Sequence, residues 1–274
     1  MDLRSATALT IAGSDSSGGA GVQADLKAFT ALGVYGASVI TALTAQNTTG
    51  VQGVEVVTPA FVAAQMRSVL ADLRVCAVKT GMLANAEIIS VVADELARYP
   101  AIPLVVDPVM VATSGDALID PDAVATLKSK LIPRATLITP NLPEAAQLLG
   151  VTVAPNEADA SRQLTALAKL GAKAVLLKGG HGDGPEAVDL LWIDGCITRL
   201  TSPRLATRHT HGTGCTLSAA IAALLAQGLD LATAVARGKT FVHRAIASGA
   251  NLQIGAGHGP VDHLYAIRRA APAA

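Results

Sequence analysis

Short β-branched runs alternate with longer Ala/Leu-rich segments along most of the chain, and no other feature limits its possible folds as strongly. ATALTIAG leads to GVQADLKAFTAL, YGASVITAL to TPAFVAAQMRSVLADL, and CAVKTGM to AEIISVVADELARY. PLVVDP, DAVATLKSKLI, ATLITP, PEAAQLLG, EADASRQLTALAKLG, AVLLKGG and AVDLLWIDG continue the rhythm. Such alternation predicts an α/β fold with a mostly parallel sheet covered by helices on both faces. Runs such as LVVD and AVLLK are continuously apolar, as strands with no solvent-facing side must be. With 274 residues, 51% of them hydrophobic, and no linker-like tract or internal repeat, one domain over residues 1–274 is expected. Turn formers cluster at 46–58 (QNTTGVQGVEVVT) and 179–186 (GGHGDGPE), which are expected to be flexible excursions of the kind that act as lids.

The 21 basic and 21 acidic side chains balance, which leaves no overall charge to draw the chain to nucleic acid or an anionic membrane. The longest apolar run, Ala219 to Ala226, falls far short of the roughly 20 residues that span a bilayer. The start, MDLRSATALTIAGSD, runs into a strand pattern without a small-residue cleavage site, so a secretory leader is not expected. Three dispersed cysteines, Cys76, Cys196 and Cys215, suit a reducing cytoplasm better than a disulfide framework. His209 and His211, one residue apart and without a nearby carboxylate, make a poor metal signature. A small-molecule partner is the expectation.

Several predicted strands end on polar or glycine-rich segments: Gly13 to Asp15 after the first, Asp107 after LVVD, TPNLPE after LIT, and Lys178 with two glycines after AVLL. Ligands of open α/β sheets gather outside those carboxyl ends. A further candidate is HTHGTGCTLSAAIAALL at 209–225, where glycines precede a long apolar helix. Unpartnered amides at such a helix start, with the helix dipole behind them, can hold a phosphate. An ordinary helix start with Thr213 as its cap is the competing reading. GKT at 238–240 has Thr233 where a P-loop needs its first glycine, and no G-x-G-x-x-G follows a strand.

Taken in order, IAGSDSSGGAGVQADLKAF, ITALTAQNT, KTGML, VVDPVM, LITPNLPEA, LLKGGH and HGTGC resemble the ribokinase-like kinases, and HGTGCTLSAA is similar to the hydroxymethylpyrimidine/phosphomethylpyrimidine kinases of thiamine biosynthesis. The resemblance implies a ribokinase-like three-layer α/β/α sandwich and ATP-dependent phosphorylation of 4-amino-5-hydroxymethyl-2-methylpyrimidine to its monophosphate and then its diphosphate. It implies an anion hole at Gly212, Thr213, Gly214 and Cys215, with Lys178 contacting nucleotide phosphates; a strand-end lysine in solvent is the alternative. Asn141 and Glu144 would organise Mg²⁺, and Asp107 would assist the metal or the phosphates, although the same Asn/Glu pair also suits a helix cap. Cys215 stands where most ribokinase-like kinases carry an aspartate base. A helix N-terminus lowers a thiol pKa, so a thiolate that accepts the hydroxyl proton is expected; the alternative is a small packing residue.

Gly13, Asp25, Gln46, Met82 and Val109 are implied around the pyrimidine, and a homodimer is implied as the assembly. Pyridoxal or pyridoxine kinase is the nearest alternative activity, because pyridoxine is also a flat hydroxymethyl heterocycle. A non-catalytic sensor that kept the pocket is the alternative from another class.

Overall fold

The computed structural model describes residues 6–110, 121–180 and 184–270. Strand β1 (Thr7–Ala12) leads into helix α1 (Gly21–Ala31) and β2 (Tyr35–Ile40). A hairpin of β3 (Ala42–Asn47) and β4 (Gly50–Val56) precedes α2 (Pro59–Asp72), β5 (Ala77–Thr80), α3 (Ala86–Leu96) and β6 (Leu104–Val106). Next come α4 (Pro121–Thr126), which runs on into wider and tighter turns as far as Arg134, then β7 (Leu137–Ile138), α5 (Leu142–Leu149), α6 (Glu157–Ala168) and β8 (Ala174–Lys178). The chain continues through β9 (Glu186–Ile193), β10 (Cys196–Pro203), α7 (Thr213–Ala226), α8 (Leu231–Gly249) and α9 (Tyr265–Ala270).

Eight strands form the central sheet in the order β10-β9-β8-β7-β6-β5-β1-β2. The six from β8 to β2 are parallel, and β9 and β10 add antiparallel at one edge. In an interior strand such as β1, period-2 alternation gives two buried faces. Leu9 and Ile11 enter the core that the sheet shares with α2 to α6, while Ala8 enters the core shared with α1, α7 and α8. The architecture is therefore the expected three-layer α/β/α sandwich. The strand order reverses at β1 and β5, and in open α/β sheets that point opens a crevice at the carboxyl ends of the strands.

The excursion expected at 46–58 has regular structure instead. It is the hairpin, whose register shifts between Ala45 and Gln46, followed by the Thr58 cap of α2. The hairpin is tied down: Ser14 N–H donates to the Ala42 carbonyl, Thr44 Oγ1 to the Ser14 carbonyl, and Gln46 N–H to Ser16 Oγ. At its tip the Thr48 carbonyl accepts from His258 N–H. Of the 179–186 excursion, residues 181–183 lie outside the described residues. Strand β10 was not expected. It follows an Asp194-Gly195 turn with both residues at positive φ, and most of its side chains are exposed, so it carries little apolar signal. No helix among the described residues is long and apolar enough to cross a membrane.

Helix starts separate into two kinds. Thr58, Asn85, Asn141, Asn156 and Asp230 each cap a helix with a side-chain oxygen. Helices α1 and α7 have no side-chain cap, and both begin at the crevice. Where α7 and α8 cross, Gly238 takes the place of a side chain: a Cβ there would stand 2.8 Å from Ile221 Cγ1. Gly→Ala inside a helix normally gains roughly 0.5–1 kcal/mol. At this crossing the overlap reverses the sign, and Gly238→Ala is expected to lower stability by about 1–3 kcal/mol in denaturant titrations. An unchanged or higher midpoint would mean that Ile221 moves aside without cost.

Candidate active site

Parallel strands bring their carboxyl-terminal residues to one place. β1 delivers Gly13, Ser14 and Asp15; β5 is followed by Met82; β6 by Asp107 and Val109; β7 by Asn141; and β8 ends on Lys178. The start of α7 approaches the same point, and together these segments line a cavity of about 480 Å³. Every candidate residue read from the sequence lines it, with the exception of Asp25.

The loop after β1 is organised by Asp15. One carboxylate oxygen accepts from the Gly19 and Ala20 amides and meets His211 Nε2 at 2.8 Å, while the other accepts the Ser17 amide and hydroxyl. Burial acts to raise the Asp15 pKa, but these hydrogen bonds, His211's foremost, hold it well below the usual carboxylate range. His211 leads directly into Gly212, so the bond ties the two uncapped helix starts together. The loops also touch through backbone. Gly212 caps α7 at φ 76°, and a Cβ there would lie 1.9 Å from the Gly19 carbonyl oxygen.

At α7, Thr213 is not free for an anion. Both its amide and its hydroxyl donate to the Thr210 carbonyl, which corrects the expectation of four open amides. No described residue accepts from the amides of Gly212, Gly214 or Cys215. Lys178 is partly buried, with its side chain 13% exposed, and its Nζ would stand 3.2 Å from a Cβ built on Gly214. Thr216, one turn into the helix, donates to the Gly212 carbonyl and meets His263 Nε2 at 2.9 Å.

Charge is concentrated beneath these groups. Asp107 accepts from Lys178 Nζ at 3.0 Å, Thr139 Oγ1 at 3.1 Å and Ser218 Oγ at 3.1 Å. Its burial favours the neutral acid, but Lys178 and then Lys79 more than offset this and keep it ionised. Glu144 lies 3.9 Å from Lys178; burial and the neighbouring Asp107 charge push its carboxyl up to about 7, against the attraction of Lys178. Asn141 and Glu144 form a reciprocal capping box on α5, so the capping alternative is realised, and both still line the cavity.

Two expectations fail. Burial pushes the Cys215 thiol up to about 11, the opposite of a helix-start thiolate, because desolvation outweighs the pull of Lys79 and a hydrogen bond from the Gly21 amide. Asp25 does not reach the cavity. It is fully buried and clamped to Lys79 Nζ at 2.7 and 2.8 Å, so it has no contact to offer a ring. Gly13, Met82, Val109 and Gln46 do line the cavity, and two of them adjoin: Gly13 N–H donates to the Met82 carbonyl, and a Cβ on Gly13 would meet Met82 Cε at 3.0 Å. Sequence reasoning passed over Lys79 and His263, set His211 aside as half of a weak metal pair, and named Asp15 only among the polar groups at strand ends, without a role.

The family model described as Phosphomethylpyrimidine kinase matches residues 15–262. A hydroxymethylpyrimidine/phosphomethylpyrimidine kinase of Rhizobium meliloti is 56% identical over 260 residues, covering 95% of this chain and 97% of that one. Among solved structures, an ADP complex of Bacillus subtilis pyridoxal kinase superposes with a TM-score of 0.90 at 36% identity, covering 96% of this chain and 99% of that one. Phosphomethylpyrimidine kinase from Clostridium difficile 630 superposes at 0.78 with 45% identity, covering 88% and 99%.

His263 supplies a pH dependence. Burial, reinforced by Lys27 and opposed by Asp262, lowers its pKa to about 4 from an ordinary 6.5. A histidine depressed in the folded state contributes stability above pH 6.5 that is lost as pH falls toward 4, because the unfolded chain takes up the proton first. Unfolding free energy should therefore drop across that window by up to about 3 kcal/mol from this residue. His263→Gln should remove that part of the slope, and equal slopes in the two proteins would exclude His263 as its source.

Proposed function

The chain belongs to the phosphomethylpyrimidine kinase family, and from that premise we propose that it transfers the γ-phosphoryl group of ATP to hydroxymethylpyrimidine and then to the resulting monophosphate, a sequence that serves thiamine biosynthesis. The observation that carries this reading is the convergence, in one cavity, of unpartnered amides, Lys178, the carboxylates of Asp107 and Glu144, and Gly13, Gln46, Met82 and Val109. The relation to pyridoxal kinases is real but more distant, at 36% against 56% identity.

In the first transfer the acceptor's hydroxymethyl oxygen bonds to the γ-phosphorus as the bond to the β–γ bridging oxygen breaks, and the electron pair leaves with ADP. The amides of Gly212, Gly214 and Cys215 face the phosphoryl oxygens, where one preorganised donor is worth about 10² to 10³ in rate. Lys178, held by Asp107, supplies positive charge at the nucleotide phosphates. Oxygen donors and an acid displaced to about 7 by burial and a like charge fit a hard divalent cation, so Asn141 and Glu144, with Asp107 near them, are the residues that would hold Mg²⁺. Such a cation neutralises phosphate charge. Gln46, on the hairpin, presents an amide to the edge of the aminopyrimidine, with Met82 and Val109 against the ring.

Cys215 is assigned the hydroxyl proton. Because burial keeps the thiol neutral at rest, it must first ionise, and turnover on the alcohol should rise with pH above neutrality, about tenfold per unit. We further assign a homodimer, supported by the exposed apolar side chains of Tyr35 on β2, Leu43, Val54 and Val56 on the hairpin and Phe61 on α2, and a cytoplasmic setting, supported by the free cysteines.

Coupled ATP-consumption assays with hydroxymethylpyrimidine, its monophosphate and pyridoxal test the reading; turnover of pyridoxal alone would overturn it. The two transfers also differ in what they ask of a base. An alcohol must lose a proton, whereas a phosphate oxygen is already ionised near neutral pH. Cys215→Ala is expected to reduce kcat on the alcohol by about 10² or more and to spare the phosphate step within a few fold. Equal effects on both steps would remove the base assignment. Gln46→Ala is expected to raise KM for both acceptors by about tenfold with little change in kcat, and an unchanged KM would show that the ring lies elsewhere.

A further inference from the structure

The loop after β1 turns its donors to one point, and the chain fills that point with an anion of its own. Asp15 Oδ1 accepts the Ser17 amide at 2.9 Å and the Ser17 hydroxyl at 2.7 Å. Oδ2 accepts the Gly19 amide at 3.0 Å and the Ala20 amide at 2.8 Å, and meets His211 Nε2 at 2.8 Å. Backbone amides gathered in this way make an anion-binding concavity. Here the resident carboxylate, with its side chain 2% exposed, uses those donors before any substrate phosphate arrives. What it gives the site is a fixed distance. His211 immediately precedes Gly212; a Cβ on Gly19 would overlap its ring, and its own amide donates to the Gly259 carbonyl at 3.2 Å. The bond to Asp15 therefore draws the start of α7 toward the first loop, and the Gly19 carbonyl, standing where a Gly212 Cβ would be, stops the approach. The same loop holds the acceptor side. Ser16 Oγ accepts the Gln46 amide and donates to the Gln46 carbonyl, both at 2.9 Å. One loop thus sets how far the amides at α7 stand from the hairpin residue assigned to the ring. In-line transfer depends on that distance, and a misplacement of about 1 Å can cost about 10² in rate.

We propose that Asp15 is a positioning residue for phosphoryl transfer: acting through His211, its carboxylate holds the amides of Gly212, Gly214 and Cys215 in register with the acceptor that Gln46 presents. The proposal rests on the reading of those amides as the anion hole. Asp15 exchanges no proton and forms no bond in the step, so both acceptors depend on it alike.

The test compares His211→Phe, which keeps a flat ring and loses the donor, with His211→Gln, whose amide nitrogen can take the place of Nε2. Asp15→Asn and the pair Asp15→Asn with His211→Phe complete the set. Kinetics on both acceptors are read beside affinity for ADP with Mg²⁺ and aluminium fluoride, a mimic of the migrating phosphoryl group. Asp15→Asn and His211→Phe are each expected to lower kcat about 10²-fold on the alcohol and on the phosphate, with KM within about threefold. The pair should fall no further than either single variant, because both remove one connection. The mimic should bind about 10²-fold more weakly to these variants while ADP alone binds as before, and His211→Gln should recover kcat to within about fivefold of the parent. Unchanged kcat in either single variant, whatever happens to the melting temperature, overturns the proposal. So do a loss confined to KM, effects that multiply in the pair, a mimic bound as tightly as by the parent, or a Gln variant as slow as the Phe variant. A parent that turns over but binds the mimic no better than ADP alone marks the failure of the anion-hole reading, and the proposal falls with it. Absence of turnover on every acceptor in the parent is the separate failure of the kinase reading. Should Asp15→Asn not fold, the two His211 variants decide alone.

Discussion

Two glycine-rich loops meet with no side chain between them, and the site depends on that contact. The Gly19 carbonyl occupies the space where a Cβ on Gly212 would be, and the Asp15 carboxylate bonds both the loop containing Gly19 and His211, the residue before Gly212. A substituted residue at 212 would have to push the loops apart, and at φ 76° it would be strained in any case. Because the loops are so close, α7 begins without a side-chain cap. A cap is worth about 1 kcal/mol to a helix, and its absence leaves the amides of Gly212, Gly214 and Cys215 without an acceptor among the described residues, available to the anion that the proposed reaction would bring. Local stability is given up at a helix start where that reaction would give unsatisfied donors a use.

Under that contact lies an interior with more acid than base. Among the described residues, Asp25, Asp107 and Glu144 are paired with only two cations, Lys79 and Lys178; burial raises Asp25, and Glu144, the acid left over, has its carboxyl pushed up to about 7. The arrangement is consistent with a cavity that receives positive charge from outside along with its phosphates, as the proposed Mg²⁺ would supply. Lys178 lines the cavity, where the proposed nucleotide phosphates would meet it, while Lys79 is sealed in the core beside Asp25.

The layered architecture was legible because β-branched runs such as LVVD and Ala/Leu-rich helices carry their periods locally, before any tertiary contact is formed. The hairpin and β10 were not, since ALTAQN and CITRLTSP leave most of their side chains half-exposed or exposed and give no apolar stripe. Placement of the candidate residues was also largely legible, because the parallel strands of an α/β sheet end at a common edge. Burial was not. Asp25 was expected beside the pyrimidine, and only the fold shows Lys79 reaching it from a strand 54 positions away. His211 was set aside as half of a weak metal pair, when its partner is Asp15, 196 positions distant. Cys215 shows a different error: the dipole argument for a lowered pKa was sound, but it left out desolvation, which is the larger effect.

That raised thiol pKa bears on why a cysteine would suit this position in the proposed two-step reaction. A standing carboxylate there would serve the alcohol well, but in the second transfer it would face an acceptor that already carries phosphate charge. Two like charges about 4 Å apart repel by about 4 kcal/mol at an effective dielectric constant of 20, enough to weaken binding by several hundredfold. A thiol that is neutral at rest imposes no such repulsion, and the phosphate acceptor needs no base from it. One site can then accept both the neutral alcohol and its anionic product, at the cost of a base that is mostly protonated when the alcohol arrives.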